Sequence, residues 1–325
     1  MNLIEELQRR KLTVAVVIPC YQEELTIAKV IRDFKQALPG ARILVFDNNC
    51  TDGTATVARQ AGAEVRREKR QGKGFVVASM FEGVDADILV MVDGDDTYEA
   101  QAVGALLEPI LNGDADMTVA TRQTDGKKSF RRFHLFGNKL VCATINWMLQ
   151  AHITDIFSGY RALTREAAAQ IPITSWGFDV ETELTLQALY RGLVIKELPA
   201  PYRARPEGST SKLNTVSDGF RVLLKLFLII KSYKPLTFFG MGSLVFLVSG
   251  LAVGYRPLYE YITVRYIDAV PSAILAASLI VMAFFSLGLG LILNSVNLRL
   301  LELEKLVGKQ PNSERHRQLL AKGPS

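Results

Sequence analysis

Ile88-Leu-Val-Met-Val-Asp-Gly-Asp-Asp-Thr-Tyr98 is the stretch that decides how the chain is read. Its first five residues, Ile88–Val92, form an unbroken apolar run, the pattern of a central strand covered on both faces. The run stops at three carboxylates, Asp93, Asp95 and Asp96. In an open α/β sheet ligands collect outside the carboxyl ends of the strands, so acids placed here are expected at a binding crevice. Gly94 lets the backbone turn between Asp93 and Asp95. Two hard oxygen donors at that spacing suit Mg2+ or Mn2+, and such an ion can bridge the phosphates of a nucleotide. The same letters also spell a strand ending in a polar turn, because Asp and Gly are ordinary turn residues.

Toward the N-terminus, Val14–Ile18 is a β-branched run closed by Pro19 and followed by Pro-Cys-Tyr-Gln-Glu-Glu (19–24). Residues 25–37 carry apolar side chains at Ile27, Val30, Ile31 and Phe34, the spacing of a helix covered on one face. Ile43–Phe46 predicts a second strand ending at Asp47. Asp-Asn-Asn-Cys-Thr-Asp-Gly-Thr (47–54) then leads into another helix, which Thr51 or Asp52 can cap. Gln-Gly-Lys-Gly (71–74) precedes the acidic strand end, and the sequence predicts a helix over 101–111 and a strand over 117–120 beyond it. Strand and helix in alternation predict an α/β domain with a parallel sheet covered on both faces. Asp47 suits a ribose or base edge, and equally a turn. Lys73 between two glycines suits a phosphate or a nucleobase carbonyl, and equally a solvated turn.

Composition sets outer limits. The chain has 325 residues, 49% of them hydrophobic, and a net charge of +5, enough for one substantial domain and a further part. The apolar residues concentrate after about Leu213 into two long blocks. Cys20, Cys50 and Cys142 show no pairing or metal-ligand spacing, which fits a reducing compartment. His134, His152 and His316 are too scattered for a metal cluster. Residues 1–11 are too charged for a secretory signal.

In their order and strand context, the segments 19–24, 47–54, 71–74 and 93–96 resemble the family-two glycosyltransferases with a GT-A fold. The resemblance implies a Rossmann-like, mostly parallel sheet, a nucleotide-diphosphate sugar as donor, and Mn2+ or Mg2+ as cofactor. Matched by position, Pro19, Tyr21, Glu23 and Asp47 would line the nucleotide and Lys73 would lie near it. Asp93 and Asp95 would be the catalytic acids that meet the metal and the diphosphate. Asn48 and Asn49 stand where a second acid and a small residue are frequent in that family, and Asp96-Thr97 replaces a frequent Leu-Gln.

The second half is similar to polyprenyl-phosphate glycosyltransferases, the group that includes dolichyl-phosphate mannose synthases. The residues that carry this are Arg122, Lys-Lys-Ser-Phe-Arg-Arg-Phe-His-Leu-Phe-Gly-Asn (127–138), Asp-Ile-Phe-Ser-Gly-Tyr-Arg-Ala (155–162), the segment 177–184 and the segment 203–213. The resemblance implies a polyprenyl phosphate acceptor, undecaprenyl phosphate in a bacterial setting, held by Arg122 and Arg131, with Arg132 as a neighbour. It implies hexosyl transfer with inversion, with uridine diphosphate the expected donor carrier. Ser158 and Gly159 read as a turn near the sugar, or as a structural turn. Glu181 and Glu183 are two apart, so on a helix only one faces the site, and Glu181 is the choice. Arg203, Arg205, Ser211 and Lys212 read either as a clasp over the diphosphate or as charge at a membrane surface.

Four parts follow from this reading. Residues 1–213 form the glycosyltransferase domain. Residues 214–234 place Phe220, Leu223, Leu224, Phe227 and Leu228 opposite Arg221, Lys225, Lys231 and Lys234, the pattern of an amphipathic helix on an anionic membrane surface. Residues 235–296 hold two uncharged stretches, Leu236–Gly254 and Ala269–Asn294, joined by a tyrosine-rich link. The first is about 28 Å long as a helix, enough to span a bilayer. Residues 297–325 are expected as a charged helix fraying into a basic tail. Lys and Arg are denser outside the link than within it, so the positive-inside rule places both ends and the catalytic domain in the cytoplasm, at the inner (plasma) membrane. Gly240, Gly242, Gly288 and Gly290 are small enough to let the spans pack against copies of the chain in a homo-oligomer.

Two rival readings differ in class. A processive polysaccharide synthase resembles the same superfamily, but the chain contains no Arg-Trp dipeptide and two spans make a poor polymer channel. A non-catalytic scaffold for nucleotide-sugars or lipids would not need the acids at Asp93 and Asp95. Nucleic acid is not an expected partner, because the basic residues gather beside the spans and not among exposed aromatics.

Overall fold

A computed structural model describes residues 3–123, 132–173, 180–206 and 227–307. The chain divides into two compact units, one built on residues 1–219 and the other on 220–310.

The first unit is a seven-stranded sheet in the order β3-β2-β1-β4-β6-β5-β7. Its strands are β1 (Val14–Cys20), β2 (Arg42–Asp47), β3 (Glu64–Arg67), β4 (Ile88–Met91), β5 (Met117–Gln123), β6 (Arg161–Thr164) and β7 (Ile195–Pro201). All neighbours run parallel except β6, which is antiparallel to both β4 and β5. The helices are α1 (Leu3–Arg10), α2 (Ile27–Ala37), α3 (Thr54–Gln60), α4 (Lys73–Gly83), α5 (Val103–Leu111), α6 (Arg132–Leu149), α7 (Arg165–Gln170) and α8 (Val180–Tyr190).

Alternation along the strands separates two apolar layers. Val14, Val16 and Ile18 of β1 face α2, whose Ile27, Val30, Ile31 and Phe34 are buried against them. Ala15 and Val17 face the other way, into a layer with Val76, Val77 and Met80 of α4 and Val180 and Leu184 of α8. The sheet is therefore covered on both faces, as the continuous apolar run in β4 predicts.

β1 runs through Pro19 to Cys20, two residues past the expected stop. The reason lies in strand parity. Val17 gives its carbonyl to Val92 N at 3.2 Å, so Pro19, two residues on, faces the same side at a level where β4 has already ended. No ladder bond is asked of the missing amide.

The second unit holds α9 (Pro235–Val264) and α10 (Val270–Val307), both long and apolar enough to cross a membrane. The sequence placed a link at 255–268, but α9 continues to Val264. Pro257 is carried inside the helix, and Arg256 pairs with Glu260 one turn on at 2.9 Å. The turn is confined to 265–269, with Arg265 in the left-handed conformation (φ 58°) and Glu260 accepting from the amides of Asp268 and Ala269 at 3.2 and 3.1 Å. α10 runs on to Val307, so the charged helix expected from 297 continues the second span without a break as far as that residue.

Of the four glycines expected to meet copies of the chain, two serve the hairpin itself. A methyl on Gly242 would lie 3.4 Å from Ser286 Oγ, and one on Gly290 would lie 3.0 Å from Phe239 Cβ. Gly250 is tighter still, against Ile280, Leu279 and the carbonyl of Ala276. Gly240 and Gly288 have nothing within 4 Å of that position.

Candidate active site

The carboxyl ends of β1, β2 and β4 each give way to a turn with a non-glycine residue in the left-handed region: Gln22 (φ 59°), Asn49 (φ 58°) and Asp96 (φ 57°). Strain of this kind persists only where the surroundings hold it. Gln22 Oε1 accepts the amides of Thr51 and Asp52, at 3.2 and 3.1 Å, and so ties the β1 turn to the β2 turn. Asp96 is held by Lys29 at 2.7 Å. The cap of α3 is neither Thr51 nor Asp52, as the sequence suggests, but Gly53, which has no side chain to donate or accept; Asp52 Oδ1 instead accepts from Thr54 N at 3.1 Å in the turn just ahead of the helix.

The acidic stretch forms the floor. Asp95 is almost fully buried and both its oxygens are engaged. Oδ1 accepts from Thr97 N and Thr97 Oγ1, at 3.2 and 2.7 Å, and Oδ2 meets an Arg205 guanidinium nitrogen at 2.6 Å. Burial, and then the nearby charge of Asp93, raise its pKa above the ordinary carboxylate value. Gly94 is required by crowding: a methyl there would come within 2.7 Å of Cys20 Sγ, and its carbonyl is held by Thr26 Oγ1 at 2.6 Å.

Lys73 opens α4 and reaches two acids from different elements, Asp93 Oδ1 at 2.5 Å and Glu181 Oε1 on α8. Burial alone would pull its pKa down, but the two carboxylates outweigh it and hold the ammonium charged. Glu181 on α8 meets Lys73, and Glu183 is buried on the same helix. Glu23 is buried at the start of α2 and lies 3.6 Å from Arg205. Asp47 is buried at the end of β2, where its Oδ1 accepts from Cys50 N at 2.8 Å, a turn-closing bond. Tyr21 is exposed at the rim. Asn48, in the place of a second acid, staples the glycine-lysine loop: its Oδ1 accepts from Gly72 N at 2.8 Å and its Nδ2 donates to Arg70 O at 2.6 Å.

Asp155, Tyr98 and Arg161, which the sequence reading did not assign, contact residues that it did. Arg122 is gripped by Asp155, with Nε and one terminal nitrogen each 2.7 Å from a carboxylate oxygen. Burial works against the Arg122 charge and Asp155 more than restores it. Tyr98 reads the next turn: its hydroxyl lies 3.1 Å from Ser158 Oγ and accepts from Gly159 N at 3.0 Å. Arg161, fully buried, donates to the carbonyls of Ser158 and Ile156, both at 2.9 Å, and to Thr185 Oγ1 at 2.8 Å. Ser158 donates to Ala120 O, so its hydroxyl is a structural bolt in this turn. Arg203 pairs with Glu99, and its amide donates to Thr97 O at 2.8 Å. Arg131, Ser211 and Lys212, and most of the amphipathic stretch 214–234, lie outside the described residues, as does the tail from 308 onward.

The acids fit a divalent ion by charge and by donor type. Asp93, Asp95, Glu23 and Glu181 set four carboxylates against Lys73 and Arg205, leaving two negative charges. Among the described residues no three His, Cys, Asp or Glu side chains stand together as a ready cage. Mg2+ needs only one or two carboxylates and completes its shell with water and substrate phosphates, so the Asp93–Asp95 pair is sufficient in number.

Residues 15–171 match the model of glycosyl transferase family 2. A curated relative, Glycosyltransferase AglJ of Haloferax volcanii, is 34% identical over 251 residues, which cover 77% of this chain and 82% of the relative. The chain belongs to glycosyltransferase family 2. A second family relative, the dolichyl-phosphate hexose transferase of Haloferax volcanii, is 30% identical over 63% of this chain and 88% of its own length. Among solved structures, glucosyl-3-phosphoglycerate synthase from Mycobacterium tuberculosis, crystallised with Mn2+, uridine diphosphate and glucosyl-3-phosphoglycerate, superposes with a TM-score of 0.58 at 22% identity, over 71% of this chain and 84% of that one. That likeness is one of fold, the GT-A arrangement expected from the sequence. Asp93, Asp95 and Lys73 lie beyond the carboxyl ends of β3 and β4.

Proposed function

We propose that this glycosyltransferase moves a sugar from a nucleotide-diphosphate donor to a polyprenyl phosphate, with inversion at the anomeric carbon. The observation that carries the reading is the convergence of Asp93, Asp95, Lys73, Glu181 and Arg205 at the carboxyl edge of the sheet. The donor class is supported by the Mn2+ and uridine diphosphate bound in the mycobacterial neighbour. The acceptor class is supported by the names of the relatives, among them a polyprenol monophosphomannose synthase of Mycolicibacterium smegmatis at 27% identity.

In this reading Pro19, Tyr21, Glu23 and Asp47 line the nucleotide, and Asp93 and Asp95 hold the cation. A bound Mn2+ or Mg2+ supplies charge neutralisation for the departing diphosphate. Lys73 keeps Asp93 and Glu181 in place, and Arg203 and Arg205 receive diphosphate oxygens. Arg122, oriented by Asp155, takes the acceptor phosphate together with Arg131. That phosphate has its second pKa near 6, so it is largely ionised at neutral pH and needs positioning more than a general base. The second unit anchors the enzyme in the inner membrane, with the catalytic domain on the cytoplasmic side.

The test is transfer itself. Detergent-purified protein is incubated with undecaprenyl phosphate and a panel of nucleotide-sugars in the presence of Mn2+. A lipid-linked monosaccharide from one donor is expected. Donor hydrolysis without lipid product, or a growing polymer, would overturn the reading.

A further inference from the structure

We propose that Arg205 is a resident counter-cation that keeps a divalent ion off Asp95 until a nucleoside diphosphate arrives, so that metal and donor bind as one complex. The inference rests on the metal reading of Asp93 and Asp95 given above.

Each acid of the pair already carries a cation of the chain. Lys73 lies 2.5 Å from Asp93 Oδ1, and Arg205 lies 2.6 Å from Asp95 Oδ2. Thr97 occupies the other oxygen of Asp95. The two cations differ in freedom. Lys73 begins α4 and is clamped between Asp93 and Glu181, its side chain 13% exposed. Arg205 reaches the site from the segment after β7, with its side chain 31% exposed and a looser second contact to Glu23 at 3.6 Å.

The backbone beneath Arg205 is pinned. Tyr98 and Tyr202 form an isolated antiparallel bridge, their rings stack edge to face at 5.0 Å, and Arg203 N donates to Thr97 O. The loop that carries Arg205 is thus stapled to the loop that carries Asp95, and only the side chain has to swing. A divalent ion arriving alone must push a guanidinium off a buried carboxylate and leave it beside a like charge. An ion arriving on a diphosphate brings the oxygens that can take that guanidinium, for which the planar fork is suited. The exchange then swaps one anionic partner for another with no stranded charge.

Binding of Mn2+ to the full chain in detergent, followed by the loss of the free-ion electron paramagnetic resonance signal, tests this without turnover. The wild type is expected to hold Mn2+ weakly alone and more tightly with saturating uridine or guanosine diphosphate. Arg205→Ala is expected to tighten Mn2+ alone about tenfold and to lose a similar factor of the nucleotide-dependent gain, a coupling of ordinary size. Arg205→Lys, which keeps a charge without the fork, falls between them. Unchanged or weaker binding of Mn2+ alone in Arg205→Ala, with a melting temperature matching the wild type, overturns the proposal. If that variant melts early, Arg205→Gln carries the same comparison. A wild type that takes up Mn2+ neither alone nor with either nucleotide removes the metal reading itself. A wild type that binds Mn2+ equally well with and without nucleotide removes only the role of Arg205.

Discussion

Gly159 lies so close to Asp93 that a methyl group on it would come within 2.9 Å of Asp93 Cγ. The backbone of the Ser158-Gly159 turn is thus the wall against which the first acid of the pair rests. The turn is fixed from the other side by Tyr98 and Arg161, so it cannot back away. Gly159→Ala is expected to displace the Asp93 carboxylate and cut transfer by about a hundredfold or more, the scale lost when one preorganised charge is misplaced. Since the residue sits in a short turn and not in the sheet, the melting temperature should fall only slightly. Retained turnover would show that Asp93 is not held where the reaction needs it.

Asp95→Asn keeps the shape of the side chain and the bonds from Thr97, but removes the charge that meets Arg205. The fold should persist, because the buried site then carries one less carboxylate with a raised pKa. Transfer should fall below detection whatever the Mn2+ added, as expected if the ion must neutralise the departing diphosphate. Turnover equal to wild type in a lipid-product assay would defeat the metal assignment.

What the sequence could show, and what it could not, follows from the range of the contacts. The ends of β2 and β4 were legible because each is an apolar run meeting a polar or glycine-bearing turn, a local signal, whereas the end of β1 was hidden by Pro19, whose missing amide costs nothing where β4 has already ended. Asp93, Asp95, Lys73 and Glu181 were legible as residue types, and the structure brings them together. The Arg122–Asp155 pair was not, because it depends on β6 inserting antiparallel between β4 and β5, which places residue 155 beside residue 122. Arg205 was legible as a charge, but its partner is set by the bridge between Tyr98 and Tyr202, more than a hundred residues apart in the chain. The extension of α9 through Pro257 was hidden by the proline and by Arg256 and Glu260, whose mutual pairing across one helical turn removes the objection they raise.

The grip of Asp155 on Arg122 makes a separable prediction. Both side chains are largely buried, at 14% and 10% exposure for Arg122 and Asp155, so removing one charge strands the other. Asp155→Asn is expected to cost about 3 kcal/mol of stability, at the low end for a broken buried pair. If Arg122 positions the lipid phosphate, the apparent KM for undecaprenyl phosphate should rise while that for the donor stays constant. A rise in the donor KM instead would move Arg122 to the diphosphate.

Glu68 offers a pH test remote from the chemistry. Its carboxylate is held by Arg70, which donates from Nε at 3.0 Å and from its backbone N at 2.8 Å, and by Ser79. Arg70 first, with help from Ser79, pulls its pKa down to about 2 against the opposing effect of burial. The folded value lies below the unfolded one, so the folded state binds fewer protons between them. The stabilisation is therefore complete above the ordinary glutamate value and is lost as pH falls from there toward 2. Glu68→Gln should unfold at lower urea than wild type at pH 7, and the gap between the two midpoints should narrow at pH 3. A gap of the same size at both pH values would mean that Glu68 contributes shape to the β3–α4 connection and no charge.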